Sequence, residues 1–260
     1  MTSTIETNRV IGYLDDLLNI AHTPDYPGAV NGLQLDNNGT IRKVAAAVDF
    51  SSRVVALGLE EKADLLLVHH GMFWSGIQTI TGSRFERMKS MIEGGMAVYS
   101  AHLPLDCHPT FGNNMLLSRE LELEPNGPFA HFKTFPIGVR GKSDMPLARL
   151  VERVGKFSEA NGGSALTTSF KSNAVVGQWA MCTGGGASAD TLQEAAAAGI
   201  ETLIVGEGPH WTAVEADDSG LVIIYAGHYA TETVGVRALA QHVAERFNLE
   251  WTFIHAPTGR

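Results

Sequence analysis

Short apolar runs alternate with amphipathic segments along this chain, and that alternation constrains the fold more than any other feature. Strand-like runs at residues 44–49, 65–68 and 97–100 are separated by helical spacing, with Ser51 placed to cap the first helix and a further helix at 83–92. Strands that alternate with helices are typical of βαβ units. The pattern therefore predicts an α/β protein with mainly parallel or mixed sheets.

A second series of the same kind begins after a break near residues 125–163. We predict a helix at 4–21, a turn at 125–128, a helix at 146–159, strands at 174–181, 202–205 and 221–225, a helix at 234–247 and an edge strand at 251–254. Two series indicate two lobes, which we place at residues 1–125 and 126–260. We expect the functional pocket between them.

Composition and charge exclude several classes of protein. The 260 residues carry a net charge of -9, which argues against nucleic acid as a partner because phosphates require a basic face. The chain has no apolar stretch long enough to cross a membrane and no recognisable secretion signal, so we expect a cytoplasmic protein. Cys107 and Cys182 are then expected to be reduced thiols.

Histidines and carboxylates follow three of the apolar runs, where strand ends meet at the rim of a sheet. Imidazole nitrogen combined with carboxylate oxygen suits a divalent transition metal such as zinc, iron, manganese, cobalt or nickel. The candidates are His69, His70, His102, Asp106, His228 and Glu232.

The adjacent histidines allow two interpretations. Consecutive side chains of a strand point to opposite faces, so His69 and His70 would serve two neighbouring metals at a bend that Gly71 permits. Alternatively, one of them is only a hydrogen-bonded rim residue. His102 could bind metal, carry a proton or orient a ligand, and Pro104 argues against a continuous helix from His102 to Asp106.

The other candidates also leave alternatives open. Asp106 offers a hard oxygen donor, while Cys107 could bind a soft metal but is better explained as an inert thiol. His228 and Glu232 are one helical turn apart, and Glu232 could bridge two cations or interact with the start of the following helix. The glycine-rich segment 183–186 could form a tight turn or bind an anion.

Taken together, these segments resemble the NIF-three-like proteins, which are often labelled GTP cyclohydrolase I type 2 homologues. The matching pieces run in the family order across nearly the whole chain. They are Asn31-Gly32-Leu33-Gln34, Val48-Asp49 with Ser51, His69-His70-Gly71 with Phe73-Trp74, Ser100-Ala101-His102 with Asp106, Thr183-Gly184-Gly185-Gly186, Gly206-Glu207, and Gly227-His228-Tyr229 with Glu232. This chain has Glu207 where relatives often have Asp.

The resemblance implies two related α/β lobes around a dinuclear metal centre, in a toroidal homo-hexamer. By the family motifs, His70 and Asp106 would hold one cation, His69 and His228 the other, and Glu232 would bridge them, with His102 close by. We expect a metal-dependent hydrolase that acts on a nucleotide-like or phosphate-containing small molecule, with His102 as the catalytic proton carrier. The alternative is a non-catalytic metal-binding protein that acts as a regulator, scaffold or metal chaperone.

Overall fold

A computed structural model describes residues 3–259, which fold into mixed α/β structure. The strands are β1 (Ile5–Glu6), β2 (Gly32–Leu35), β3 (Thr40–Ile41), β4 (Lys43–Asp49), β5 (Leu65–His70), β6 (Ala97–Ser100), β7 (Pro125–Phe132), β8 (Phe135–Pro146), β9 (Leu166–Thr167), β10 (Val175–Cys182), β11 (Thr202–Val205), β12 (Val222–Tyr225) and β13 (Glu250–Phe253). The helices are α1 (Thr7–Leu17), α2 (Ser52–Glu60), α3 (Ser83–Gly94), α4 (Leu103–Asp106), α5 (Asn113–Glu120), α6 (Leu147–Ala160), α7 (Ala189–Ala197), α8 (His210–Ser219), α9 (His228–Thr231) and α10 (Thr233–Phe247).

The chain forms two compact units. The first unit comprises residues 3–105 and 235–256, and the second comprises 106–234 and 257–259. These units differ in extent from the predicted lobes at 1–125 and 126–260. The physical reason is that the chain returns to its first sheet near the C-terminus, where β13 pairs in parallel with β4.

The first unit is built on a five-stranded sheet in the order β13-β4-β5-β6-β2. Four of its strands are parallel, and β2 runs antiparallel to β6. The apolar run in β4 is buried throughout residues 44–48, as expected for a strand covered on both faces. Ser51 caps α2 as predicted, because its hydroxyl accepts a hydrogen bond from the Val54 amide.

The second unit is built on a six-stranded sheet in the order β7-β8-β10-β11-β12-β9. Strands β10, β11 and β12 are parallel, while β7, β8 and β9 are antiparallel to their neighbours. The predicted turn at 125–128 is wrong. These residues begin β7, and the register against β8 shifts between Pro125 and Gly127, so the prolines and glycine mark a bulged strand rather than a reversal of the chain.

Long apolar helices that could cross a membrane are absent from the described residues. The helices instead pack on the sheets through one apolar face. In α6, for example, Leu147, Leu150 and Val154 are buried at helical spacing and belong to the core beside β10. The sequence periodicity predicted this helix correctly.

Candidate metal centre

Three histidines lie together at one edge of the first sheet. His69 and His70 are the last two residues of β5 and not part of the bend that we expected after it. His102 follows β6, and its ring centroid lies 4.9 Å from that of His69 and 5.6 Å from that of His70. One nitrogen from each histidine lies within 4.8 Å of the others, which is close enough for one metal ion to be shared.

Gly71 is required here for space. A Cβ atom at this position would collide with the Gln34 side chain. That side chain connects three backbone segments, since its amide nitrogen donates to the carbonyls of Ala29 and Val30 and its oxygen accepts from the Met72 amide at 2.6 Å. The glycine thus lets Gln34 hold the loops beside the histidines.

Oxygen acceptors fix the orientation of His69 and His70. The Nδ1 of His69 lies 2.8 Å from the Ala101 carbonyl, and that of His70 lies 2.8 Å from Oδ1 of Asp49. A carbonyl or carboxylate oxygen can only accept, so Nδ1 must carry the hydrogen and the neutral ring has its lone pair on Nε2. This is the arrangement found around metal-binding imidazoles.

His102 is held in the same way by Asp25, a residue with no local signal in the sequence. The Nδ1 of His102 lies 2.8 Å from Oδ1 of Asp25, and Oδ2 of Asp25 accepts from the Asn31 side chain at 2.7 Å and from the Leu103 amide at 2.9 Å. Burial raises the pKa of Asp25. The hydrogen bond and charge of His102, together with hydrogen bonds from the Asn31 side chain and the Tyr26 backbone, outweigh burial and hold the pKa below its ordinary value. Asp25 is therefore a carboxylate that can stabilise a protonated His102.

Asp106 lies in the second unit, at the end of a single helical turn. The Asn113 side chain donates to its Oδ1 at 2.8 Å, and Asn113 is itself buried. As expected, no continuous helix joins His102 to Asp106, because α4 begins only at Leu103. Pro104 lies in the first turn of α4, where the missing N–H is not needed, and His102 precedes the helix.

His228 and Glu232 lie together in the second unit, as their spacing predicted. The Nε2 of His228 is 3.3 Å from Oε2 of Glu232, and its Nδ1 is 3.0 Å from Oε1 of Glu207. Burial lowers the pKa of His228, but the hydrogen bonds and charges of Glu232 and Glu207 outweigh it and raise the pKa to about 9. Glu232 is only 3% exposed, so its buried carboxylate requires a positively charged or hydrogen-bonding partner, and His228 provides one.

The glycine-rich segment 183–186 packs directly on this pair. Gly184 has a φ of 63°, and a Cβ there would collide with Glu232 and lie 3.3 Å from Nε2 of His228. Its amide donates to the Thr231 hydroxyl at 3.0 Å, and the Thr183 amide donates to the Asn114 side chain. Because side chains already occupy these two amides, the tight-turn interpretation is favoured over an anion cradle.

The two cysteines are separate thiols. Burial, together with the charges of Asp106 and Glu232, raises the pKa of Cys182 above its ordinary value. A thiol with a raised pKa stays protonated at neutral pH, which disfavours metal binding through sulfur. Cys107 is half-buried. These observations favour the nitrogen and oxygen donor set.

A second candidate surface surrounds Glu207. A cavity of about 580 Å³ in the second unit is lined by Glu207, His210, Tyr225 and Gly227, among others. Glu207 and His210 thus face the same cavity at the end of β11 and the start of α8. The Tyr225 hydroxyl lies 2.7 Å from the buried hydroxyl of Thr212, which fixes one wall.

Comparison with known proteins identifies the family. The sequence model of Duf34/NIF3 (NGG1p interacting factor 3) matches residues 5–259, nearly the whole chain. The chain belongs to the Duf34/NIF3 family. A relative from Deinococcus radiodurans named GTP cyclohydrolase 1 type 2 homolog is 36% identical over 98% of this chain and 95% of its own length. A relative of the same name from Pyrococcus abyssi is 34% identical over 98% of this chain and all of its own length.

Solved structures agree with this family assignment. The structural-genomics protein ybgI, described as of unknown function, has a TM-score of 0.87 at 31% identity. The match covers 98% of this chain and all of ybgI. TTHA1606 from Thermus thermophilus has a TM-score of 0.84 at 35% identity, with 98% of this chain and all of that chain covered. The resemblance drawn from the sequence is thus confirmed, and the Duf34/NIF3 match includes every candidate donor named above.

Proposed function

We propose that this Duf34/NIF3 protein is a metal-dependent hydrolase that binds two divalent cations. In this scheme His70 and Asp106 hold one cation, His69 and His228 hold the other, and Glu232 bridges them. The observation that carries the proposal is the common orientation of the imidazoles. Each of the four histidines His69, His70, His102 and His228 has its Nδ1 within 3.0 Å of an oxygen acceptor, which directs Nε2 toward metal binding.

The cations would activate both reactants, since bound divalent metals lower the pKa of water, the nucleophile, and polarise the bond that it attacks. The chain supplies the proton transfer. His102 is 7% exposed and hydrogen-bonded to Asp25, so its ring can accept a proton at Nε2 while Asp25 stabilises the resulting charge. The Trp74 ring lies 4.6 Å from that of His102 and borders this position.

The proposed substrate is a nucleotide-like or phosphate-containing small molecule. The names of the curated relatives mention GTP cyclohydrolase, and paired cations also suit the cleavage of phosphate esters. Cleavage of the purine ring is one member of this class of reaction, and phosphate ester hydrolysis is another. A panel that contains both kinds of substrate distinguishes them.

The test is a metal and activity measurement on one preparation. Elemental analysis of the purified protein should find about two divalent cations per chain. The protein should hydrolyse at least one member of a panel of nucleotides and phosphate esters, lose that activity on chelation and regain it when metal is restored. Metal at full occupancy without turnover across the panel would instead support the metal-binding regulator or chaperone, and absence of metal would refute both.

A further inference from the structure

A cavity of about 560 Å³ opens in the first unit between the end of β5 and α3. Its lining combines three kinds of side chain. His70 and Asp49 lie at one part of the wall, large apolar residues form much of the remainder, and Arg84 and Arg87 of α3 add positive charge. This composition is typical of small-molecule sites, which are mostly apolar with a few polar groups that fix orientation.

The apolar part of the lining is unusually open to solvent. Trp74 is 43% exposed, Ile80 is 56% exposed, and Ile77 is fully exposed. Exposed apolar side chains that line one concave surface, in contrast to scattered ones, indicate contact with a ligand or partner. The volume of the cavity matches a molecule the size of a mononucleotide or a substituted aromatic ring.

The two arginines provide the charged part. Arg87 lies over the Phe50 ring, with its guanidinium carbon 4.6 Å from the ring centroid, and its Nη1 lies 3.4 Å from the Ser52 hydroxyl. Burial and the charge of Arg84 lower the pKa of Arg87. Over residues 3–259, the ion pairs of the structure include neither Arg84 nor Arg87. Two adjacent positive charges thus face a cavity in which an oxyanion could pair with both.

The cavity lies directly beside the histidines. The Trp74 ring is 5.2 Å from the His70 ring and 4.6 Å from the His102 ring, so Trp74 contacts both the cavity and the histidine group. A ligand whose anionic group lies at the arginines would extend its apolar body along Trp74 toward His70. The arrangement therefore suits recognition of one end of a molecule and reaction at the other.

We propose that this cavity binds an organic anion, with an aromatic or similarly flat apolar body against Trp74, Ile77 and Ile80 and a phosphate or carboxylate group at Arg84 and Arg87. As a statement about the substrate, this rests on the proposed function. As a statement about binding, it depends only on the residues of the cavity.

Calorimetric titration of the full-length protein with 1-naphthyl phosphate tests the inference. We expect one saturable site per chain, with inorganic phosphate and 1-naphthol each at least about tenfold weaker, because each retains only one half of the interaction. 1-Naphthoate distinguishes a phosphate site from a general oxyanion site. The double variant R84Q/R87Q should weaken naphthyl phosphate binding by about 10–100-fold, as expected for the loss of charge-assisted hydrogen bonds.

Two further variants make the result interpretable. R9Q removes an exposed arginine from α1, outside the cavity, and should bind normally. I77S/I80S removes exposed apolar surface without disturbing the core and should weaken naphthyl phosphate but not inorganic phosphate. Unchanged affinity in a folded R84Q/R87Q protein, or equal affinity for naphthol and naphthyl phosphate, would overturn the proposal.

The same titration after chelation separates this inference from the proposed function. Arginine-dependent binding that persists without metal supports the inference whatever the metal analysis shows. Binding with no metal and no hydrolysis therefore counts against the proposed function alone. Hydrolysis without arginine-dependent binding of any of the aromatic anions would overturn the inference alone.

Discussion

At the scale of single residues, each candidate imidazole ligand depends on the hydrogen-bond partner of its Nδ1 as much as on its own position in the chain. Asp25, Asp49 and Glu207 each accept a hydrogen bond from a histidine Nδ1, and this fixes both the tautomer and the direction of the ring. A carboxylate partner also increases the basicity of the opposite nitrogen. In the proposed metal site, the same side chains would both orient each ligand and strengthen it.

Glu232 is predicted to be the bridging ligand. The variant E232A should lose most of both cations, whereas H70A should mainly lose one, because only a bridging carboxylate contacts both. Elemental analysis of each purified variant measures this directly. E245A, which removes an exposed carboxylate from α10 bonded to Gln241, is the matched control and should keep full metal content. Full metal content in E232A would refute the bridging role.

His102 is predicted to transfer the proton. H102Q preserves approximate size and hydrogen bonding but removes titration near neutral pH, so turnover should fall by about 10²–10⁴-fold with metal content unchanged. The measurement is kcat beside elemental analysis of the same sample. Unchanged turnover would exclude proton transfer by His102. Lost metal would make it a ligand, which its position beside His69 and His70 also permits.

At the scale of elements, the candidate donors lie where regular structure ends. His69 and His70 end β5, Asp106 ends the single turn α4, and His228 begins the single turn α9. Helices of four residues are too short to reveal themselves by periodicity. Strand β6 is equally short, but its apolar run predicted it from the sequence, and all four of its residues are buried in the structure.

Tyr99 in β6 should make the free energy of unfolding vary with pH in the alkaline range. Its hydroxyl donates to Oδ1 of Asp15 at 2.8 Å, and burial, with the charge of Asp15 and that hydrogen bond, raises its pKa well above the ordinary value of 10.0. The neutral phenol is thus favoured by the folded state. Its contribution is complete below a pH of about 10 and declines above it by about 1.4 kcal/mol per pH unit until the folded-state pKa is reached.

Denaturant unfolding at a series of pH values measures this contribution. Y99F cannot ionise, so its free energy of unfolding should decline less steeply above a pH of about 10 than that of the unchanged protein. Y225F is the comparison, because Tyr225 is less buried than Tyr99 and burial raises its pKa against a hydrogen bond with Thr212 that lowers it. Parallel curves for Y99F and the unchanged protein would contradict the assignment.

At the scale of the whole molecule, a compact unit is not formed from one continuous stretch of the chain. Residues 235–256 belong to the first unit although the entire second sheet precedes them in the chain. Val236, Leu239 and Val243 of α10 are fully buried, and β13 completes the first sheet beside β4. The first unit thus requires both ends of the chain.

A fragment of residues 1–125 should therefore fail to fold stably. It would expose the edge of β4 and the apolar surface that α10 covers, and burial of apolar surface is the main favourable term in folding. Circular dichroism and a thermal melt of the fragment measure the outcome. The control adds residues 233–256 after a flexible linker, which should restore a cooperative transition. A cooperative melt of the fragment alone would contradict the prediction.

The homo-hexamer implied by the family resemblance stays a prediction at this scale. Light scattering coupled to size-exclusion chromatography should give a mass about six times the 27.9 kDa of one chain. The measurement should be repeated after chelation, because this shows whether assembly depends on bound metal. A monomer or dimer in both conditions would refute the hexamer.

Local patterns in the sequence determined most of the elements and the candidate donors. Apolar runs predicted β4, β5 and β6, helical spacing predicted α6 and α10, and Ser51 predicted the start of α2. The strand-terminal histidines predicted a metal-binding cluster. These signals are readable because each arises from residues that are neighbours in the chain.

Only the tertiary structure decided the partners of those residues. Asp25 reaches His102 across 77 positions of sequence, and Asp49 reaches His70 across 21, so neither contact has a local signature. The same holds for β7, whose prolines and glycine are typical of a turn but form a strand because β8 pairs with them. It also holds for β13, which pairs with β4, a strand some two hundred residues earlier in the chain. A hydrogen bond between distant segments depends on the folded path of the whole chain, and for that reason the periodicity of one segment cannot specify it.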